Sequence, residues 1–209
     1  MINNYNVLTL PNINLLLLEI PTELYSNIKN ETDEIEEIFL TSNTNSKNCH
    51  KTGLTSTGIP THFKLIKNLE SWKQFLPQAV DLYYKTSPFL KNLNLAKDNE
   101  IKLFYQDPWV NIQQNTEFFP NHKHEGLLSY VLWIRIPEET TTHEFAGKFE
   151  LTYSDILGNS RPSEYSIDQS FEGKLLVFPA MLRHCVYPFY NSSINRISLS
   201  GNILLESNK

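Results

Sequence analysis

The sequence predicts a mainly β fold of the sandwich or jelly-roll kind, α+β in class, with helices confined to its N-terminal part. Three observations carry this. From about Ile101 onward, short β-prone runs alternate with turn signals. Before that point, two stretches place apolar residues at helical spacing. No internal repeat or linker interrupts the 209 residues, of which 40% are hydrophobic and 12% aromatic. One domain spanning 1–209 is therefore expected, with residues 1–100 as a strand and supporting helices and 101–209 as the β core.

In chain order, Ile13–Glu19 reads as a short buried strand. Pro21-Thr22 offers a helix start, with Thr22 as cap. Leu24, Ile28, Ile35, Ile38 and Phe39 share one face of that helix, and Glu31, Asp33, Glu34, Glu36 and Glu37 lie mostly off it as a solvated face. Residues 41–60, rich in Ser, Thr, Asn and Gly, read as loop. Asn68 caps a second helix, in which Trp72, Phe75, Leu76, Val80, Tyr83 and Tyr84 recur at core-packing spacing and Pro77 introduces a kink or a split. Both helices are expected on one outer face of the β core. There Trp109, Asn111 and Gln113 alternate with Val110 and Ile112, and Leu127–Ile136 is a long run ended by Pro137. Lys148–Tyr153 alternates, with Phe149, Leu151 and Tyr153 as its apolar members. Lys174–Phe178 lies between Gly173 and Pro179, and Cys185–Tyr187 and Arg196–Leu205 complete the set. Residues 154–172, with Gly158, Arg161 and Pro162, read as a loop near the barrel mouth, either a substrate lid or a surface insertion.

Composition excludes several classes. A net charge of −5 with no basic stripe argues against nucleic-acid binding. The longest apolar run, Leu15 to Leu18, is too short to span a bilayer, and the N-terminus lacks the marks of a signal peptide. With only Cys49 and Cys185, reduced thiols in a cytoplasm are expected rather than a disulfide scaffold.

His122-Lys123-His124-Glu125, then His184, then Arg196-Ile197-Ser198, is the pattern that carries chemistry. Two imidazoles at i and i+2 point to one side of an extended segment. A third, sixty-two residues on, can close three corners around one metal ion. Arg196 and Ser198 add a guanidinium fork and a hydroxyl suited to a carboxylate. A facial ligand set with open positions is what a non-haem Fe(II) oxygenase requires. Asn111 and Gln113 line the pocket or face solvent from the same strand. His50, His62 and His143 fall outside the pattern and read as surface residues, and Cys49-His50 is too isolated for a metal site. Cys185 is expected to face away from the metal and fill core space.

The stretch from Pro108 to Asn202 resembles the Fe(II)- and 2-oxoglutarate-dependent oxygenases, and within them the uncharacterised oxygenases of tailed phages and marine bacteria. The residues that carry the resemblance are Trp109-Val110-Asn111, His122-x-His124-x-Gly126 and Leu128–Trp133. They continue with Gly173-x-Leu175-x-x-Phe178-Pro179, His184-x-Val186-x-Pro188 and Arg196-x-Ser198-x-Ser200. The resemblance implies a double-stranded β-helix core, iron on His122, His124 and His184, and 2-oxoglutarate held by Arg196 and Ser198, with Asn111 beside it. It also implies O2 as co-substrate, with decarboxylation of 2-oxoglutarate to succinate coupled to substrate oxidation, usually hydroxylation. The substrate, a small molecule or a protein side chain, is not legible, nor is the oligomeric state.

One departure stands out. The widespread form of this site is His-x-Asp/Glu, and here the i+2 residue is His124, with Glu125 next to it. Three neutral imidazoles can hold divalent iron. Alternatively, a bulge can swing Glu125 inward. Two other classes remain open from sequence: a cupin-like three-His enzyme that does not use 2-oxoglutarate, and a non-catalytic jelly-roll structural or binding protein.

Overall fold

The computed structural model describes residues 4–10, 13–41, 61–87, 102–138, 144–155 and 157–205. Two antiparallel sheets face each other. The larger has the order β1 (Tyr5–Leu10), β2 (Ile13–Glu19), β10 (Lys174–Pro179), β7 (Leu128–Arg135), β12 (Arg196–Leu205), β5 (Trp109–Gln113) and β3 (Thr61–Lys64), and β4 (Leu103–Tyr105) also pairs with β12. The smaller has the order β6 (Phe119–His122), β11 (Arg183–Val186), β8 (Phe149–Ser154) and β9 (Ser160–Tyr165). This is the double-stranded β-helix. The helices α1 (Thr22–Thr41) and α2 (Leu69–Thr86) cover the outer face of the larger sheet.

That cover explains the composition of the central strands. Period-2 alternation sends Leu16 and Leu18 of β2, Leu132 and Ile134 of β7 and Leu175 and Val177 of β10 to the helix side. Leu15, Leu17, Trp133, Leu176 and Phe178 go to the space between the sheets, with Phe149 and Leu151 of β8 opposite. Strands buried on both faces become continuous apolar runs. β12 is different: Ile197, Leu199 and Ile203 face the helices, whereas Ser198 and Ser200 face the opposite sheet. The space between the sheets is therefore apolar at one end and polar at the other.

The acidic residues of α1 are not simply a solvated face. Glu31 is buried, and its carboxylate accepts the backbone N–H groups of Ile66, Lys67 and Asn68 at 2.6, 2.7 and 2.8 Å and the Asn68 side chain at 2.9 Å. Asn68 thus precedes α2 without capping it by its own side chain. Instead, a carboxylate from α1 satisfies the N–H groups of the approaching turn, a non-local arrangement that helix periodicity does not show. Asp33 and Glu36 both reach Arg135 of β7, at 2.7 and 2.6 Å. α2 runs through Pro77 as one helix.

The segment 154–172 is not all loop, since β9 forms the edge of the smaller sheet. An edge strand tolerates Pro162 and needs no apolar alternation, so its sequence carried no strand signal. β1, β3 and β6 carry no strand signal in the sequence for similar reasons, being short, at or near an edge, or, in β6, holding Pro120. The loop expected at 41–60, together with Cys49, His50 and His143, lies outside the described residues. Among the described residues, no helix is long and apolar enough to cross a membrane.

Gly201 lets Tyr130 lie across β12, where the phenol hydroxyl accepts the Trp72 indole N–H at 3.1 Å. A Cβ at Gly201 would stand 2.5 Å from Tyr130 Cζ, well inside van der Waals contact. Gly201→Ala is expected to lower stability by about 1–3 kcal/mol through overpacking. Chemical denaturation at constant m-value is the check, and an unchanged midpoint would show that Tyr130 can move aside freely.

Candidate active site

The site begins with a pairing. His122 ends β6 and His184 lies in β11, and the two are directly opposed in the β6–β11 register. Opposed residues of an antiparallel pair project to the same face, here inward, and their ring centroids lie 4.2 Å apart. His124 follows two residues later, beyond the strand end. Its backbone N–H donates to the Ala180 carbonyl at 2.9 Å, which ties the segment to the turn after β10. The His124 ring lies 4.9 Å from that of His122 and 5.2 Å from that of His184. One ring nitrogen from each histidine falls within 4.8 Å of the others. Metal–nitrogen bonds of about 2.0–2.1 Å put neighbouring donors about 3 Å apart, so modest ring rotations gather all three onto one ion. Glu125 is exposed and stands outside this group.

Hydrogen bonds orient two of the rings. His122 Nδ1 lies 2.7 Å from the Pro120 carbonyl, and His184 Nδ1 lies 3.0 Å from that of Leu182. Each Nδ1–H donates to the oxygen two residues earlier, which leaves the Nε2 lone pair for a metal. Burial, reinforced by the neighbouring imidazoles, pushes His184 down to about 3 and His124 down to about 4. Both are neutral at pH 7, the form that binds metal.

The imidazoles open onto a cavity of about 270 Å³ between the sheets. On the larger sheet, Asn111 Nδ2 donates to Ser198 Oγ at 3.1 Å and to Ser200 Oγ at 3.0 Å, while Asn111 Oδ1 is buried without a hydrogen-bond partner. Gln113, one step further along β5, is spent on structure and donates to the Glu117 carbonyl at 2.6 Å. His62 is not a surface residue. β3 places it beside Asn111, and it lines the cavity with Trp109 and Phe119. Its sequence neighbourhood gave no sign of this, because the β3–β5 pairing is long-range. Cys185 points away from the metal side as expected, but it is half-buried on the outer face of the smaller sheet rather than in the core.

Arg196 lies on the same face of β12 as Ser198 and Ser200 but does not line the cavity. Only 3% of its surface is exposed. Nη2 donates to the Gly147 carbonyl at 2.6 Å, the guanidinium sits 5.6 Å from the Phe189 ring centre, and Nε is buried without a partner. No ion pair among the described residues includes Arg196. Burial alone pushes its pKa down to about 10, so it remains a cation at pH 7. A buried, uncompensated charge costs several kcal/mol. An anion placed between a metal on the three imidazoles and this guanidinium would supply the missing counter-charge, and a dicarboxylate with a metal-chelating end fits that demand.

Known proteins share features of this chain. Residues 107–202 match the family described as "Putative 2OG-Fe(II) oxygenase". A prolyl-4-hydroxylase from Pseudomonas putida superposes with a TM-score of 0.57 at 14% identity, over 92% of each chain. A prolyl hydroxylase from Trichoplax adhaerens, in complex with a hypoxia inducible factor peptide fragment, gives 0.57 at 11% identity, over 91% of this chain and 82% of that one. No match is found among curated proteins. The matched segment runs from the start of β5 almost to the end of β12 and contains every candidate ligand, so the similarity to the 2OG-Fe(II) oxygenases covers the part of the chain that builds the site.

Proposed function

We propose that His122, His124 and His184 hold Fe(II), and that Arg196, with Ser198 and Asn111 beside it, receives the distal carboxylate of 2-oxoglutarate. The observation that carries the assignment is the pairing of a convergent neutral triad with a buried guanidinium that has no carboxylate partner among the described residues. When bound, the iron and 2-oxoglutarate supply oxidative chemistry with O2, yielding succinate and CO2 and oxidising a substrate C–H bond. The chain's own part is positional. The Pro120 and Leu182 carbonyls fix two imidazole tautomers. The Asn111–Ser198–Ser200 cluster sets the polar floor, and the walls of Val131, Phe149 and Phe178 keep bulk water from the reacting groups. The substrate enters as a small molecule or a protein side chain, and the protein acts in a cytoplasm.

Third-ligand identity is open to direct measurement. His124→Ala is expected to lose most bound iron when purified without oxygen, whereas Glu125→Ala keeps it. Iron retained by the first variant and lost by the second would reverse the assignment.

Arg196→Met separates function from stability. Removing a buried charge that lacks a counter-ion should leave the apoprotein's stability unchanged within about 1 kcal/mol, or raise it. Calorimetric 2-oxoglutarate binding should weaken by roughly 2–4 kcal/mol, with metal content unchanged. If binding is undiminished, another residue anchors the co-substrate.

A further inference from the structure

Resting on the oxygenase reading above, we infer that the reacting part of the substrate is an uncharged ring, aromatic or alicyclic, received against a wall made by His62, Trp109 and Phe119. Two features of the cavity lead there. First, among the described residues, no Lys, Arg, Asp or Glu lines it. The polar groups on its floor are uncharged and mostly engaged with one another: Asn111 Nδ2 with Ser198 and Ser200, and Ser129 with Asn202 at 2.7 Å, which leaves Asn111 Oδ1 as a neutral acceptor. Arg196 lies outside the lining and is claimed by the co-substrate. With three neutral imidazoles, a divalent ion, the Arg196 guanidinium and a dianionic co-substrate sum to one positive charge, and the guanidinium that carries it lies outside the lining. A charged substrate group would therefore be desolvated with no charged side chain among the described lining residues to pair with it.

Second, one side of the cavity is built from ring faces. His62 stacks on Phe119 at 5.8 Å with a 23° interplanar angle and lies 6.2 Å from Trp109, which in turn stands 6.0 Å from His124. Burial holds His62 below its ordinary pKa, so this face is uncharged as well. Such faces favour a flat or compact ring by stacking and edge contacts. A cavity of about 270 Å³, shared with the co-substrate, leaves room for one ring and not for a whole nucleotide. His62 comes from β3, outside the segment 107–202, so the recognition wall is built partly by residues that the family match does not reach.

The test uses an isosteric pair, benzamide and the benzamidinium cation, titrated into full-length protein loaded with Zn(II) and 2-oxoglutarate. Calorimetry should show benzamide binding at least about ten-fold tighter than benzamidinium. Trp72 and Trp133 are buried elsewhere, so quenching of tryptophan fluorescence by benzamide should vanish in Trp109→Phe while calorimetric binding persists. His62→Leu and Phe119→Leu should each weaken benzamide by about three- to ten-fold without changing the amount of Zn(II) bound. Equal or tighter binding of benzamidinium, or quenching that survives in Trp109→Phe, overturns the inference. Failure to bind Zn(II) or 2-oxoglutarate in the loading step overturns the oxygenase reading instead, and the benzamide comparison can still be read on the unloaded protein.

Discussion

The structure depends on the larger sheet being buried on both faces. Helices α1 and α2 seal one face with Ile28, Trp72, Phe75 and Val80, and the smaller sheet closes over the other. A twisted sheet covered on both sides holds its strand register tightly, because a slip by one residue exchanges the two faces. In β12 that exchange would turn Arg196, Ser198 and Ser200 toward the helices and Ile197 and Leu199 toward the imidazoles. The apolar residues of β12 thus hold its polar residues in place, and the chemistry of the site rests on a packing constraint a strand's thickness away.

The smaller sheet contributes precision rather than bulk. The opposition of His122 and His184 follows from the β6–β11 register, and the inward direction of both rings follows from the neighbouring pairing of His184 with the buried Leu151. Between the sheets, a polar end and an apolar end share one space. Leu15, Leu17, Trp133 and Leu176 close the apolar end, while the serines of β12 and the imidazoles occupy the other. The buried guanidinium of Arg196 is the part of this arrangement that works against stability. A fold that keeps an unpaired buried cation holds free energy in reserve for a ligand that completes the pair.

The helices also do more than cover the sheet. Glu31 gathers three successive backbone N–H groups ahead of α2, and Tyr25 donates its hydroxyl to the Ile134 carbonyl at 2.9 Å. That carbonyl belongs to the residue skipped where the β7–β12 register shifts between Ile197 and Ser198. Asn195, immediately before the buried arginine, is held by Glu36 at 2.8 Å. The strand that carries Arg196, Ser198 and Ser200 is thus fastened at its entry by a helix from the opposite end of the chain.

The sequence by itself determined the elements whose two faces differ chemically or whose apolar runs are continuous. Ile13–Glu19 and Arg196–Leu205 were legible to the residue, and so were the order and the shared side of His122 and His124, because strand and helix periods are local properties. Only the tertiary structure decided what depends on distant pairing. It made Glu31 a buried anchor, turned part of an apparent loop into the edge strand β9, and brought His62 into the cavity wall through β3. It also decided that His184 meets the His122–His124 pair and that Arg196 has no counter-ion among the described residues. A residue's type shows which chemistry it can perform. Its burial, its neighbours and the charge left uncompensated around it are set by segments tens of residues away, and those set what it does.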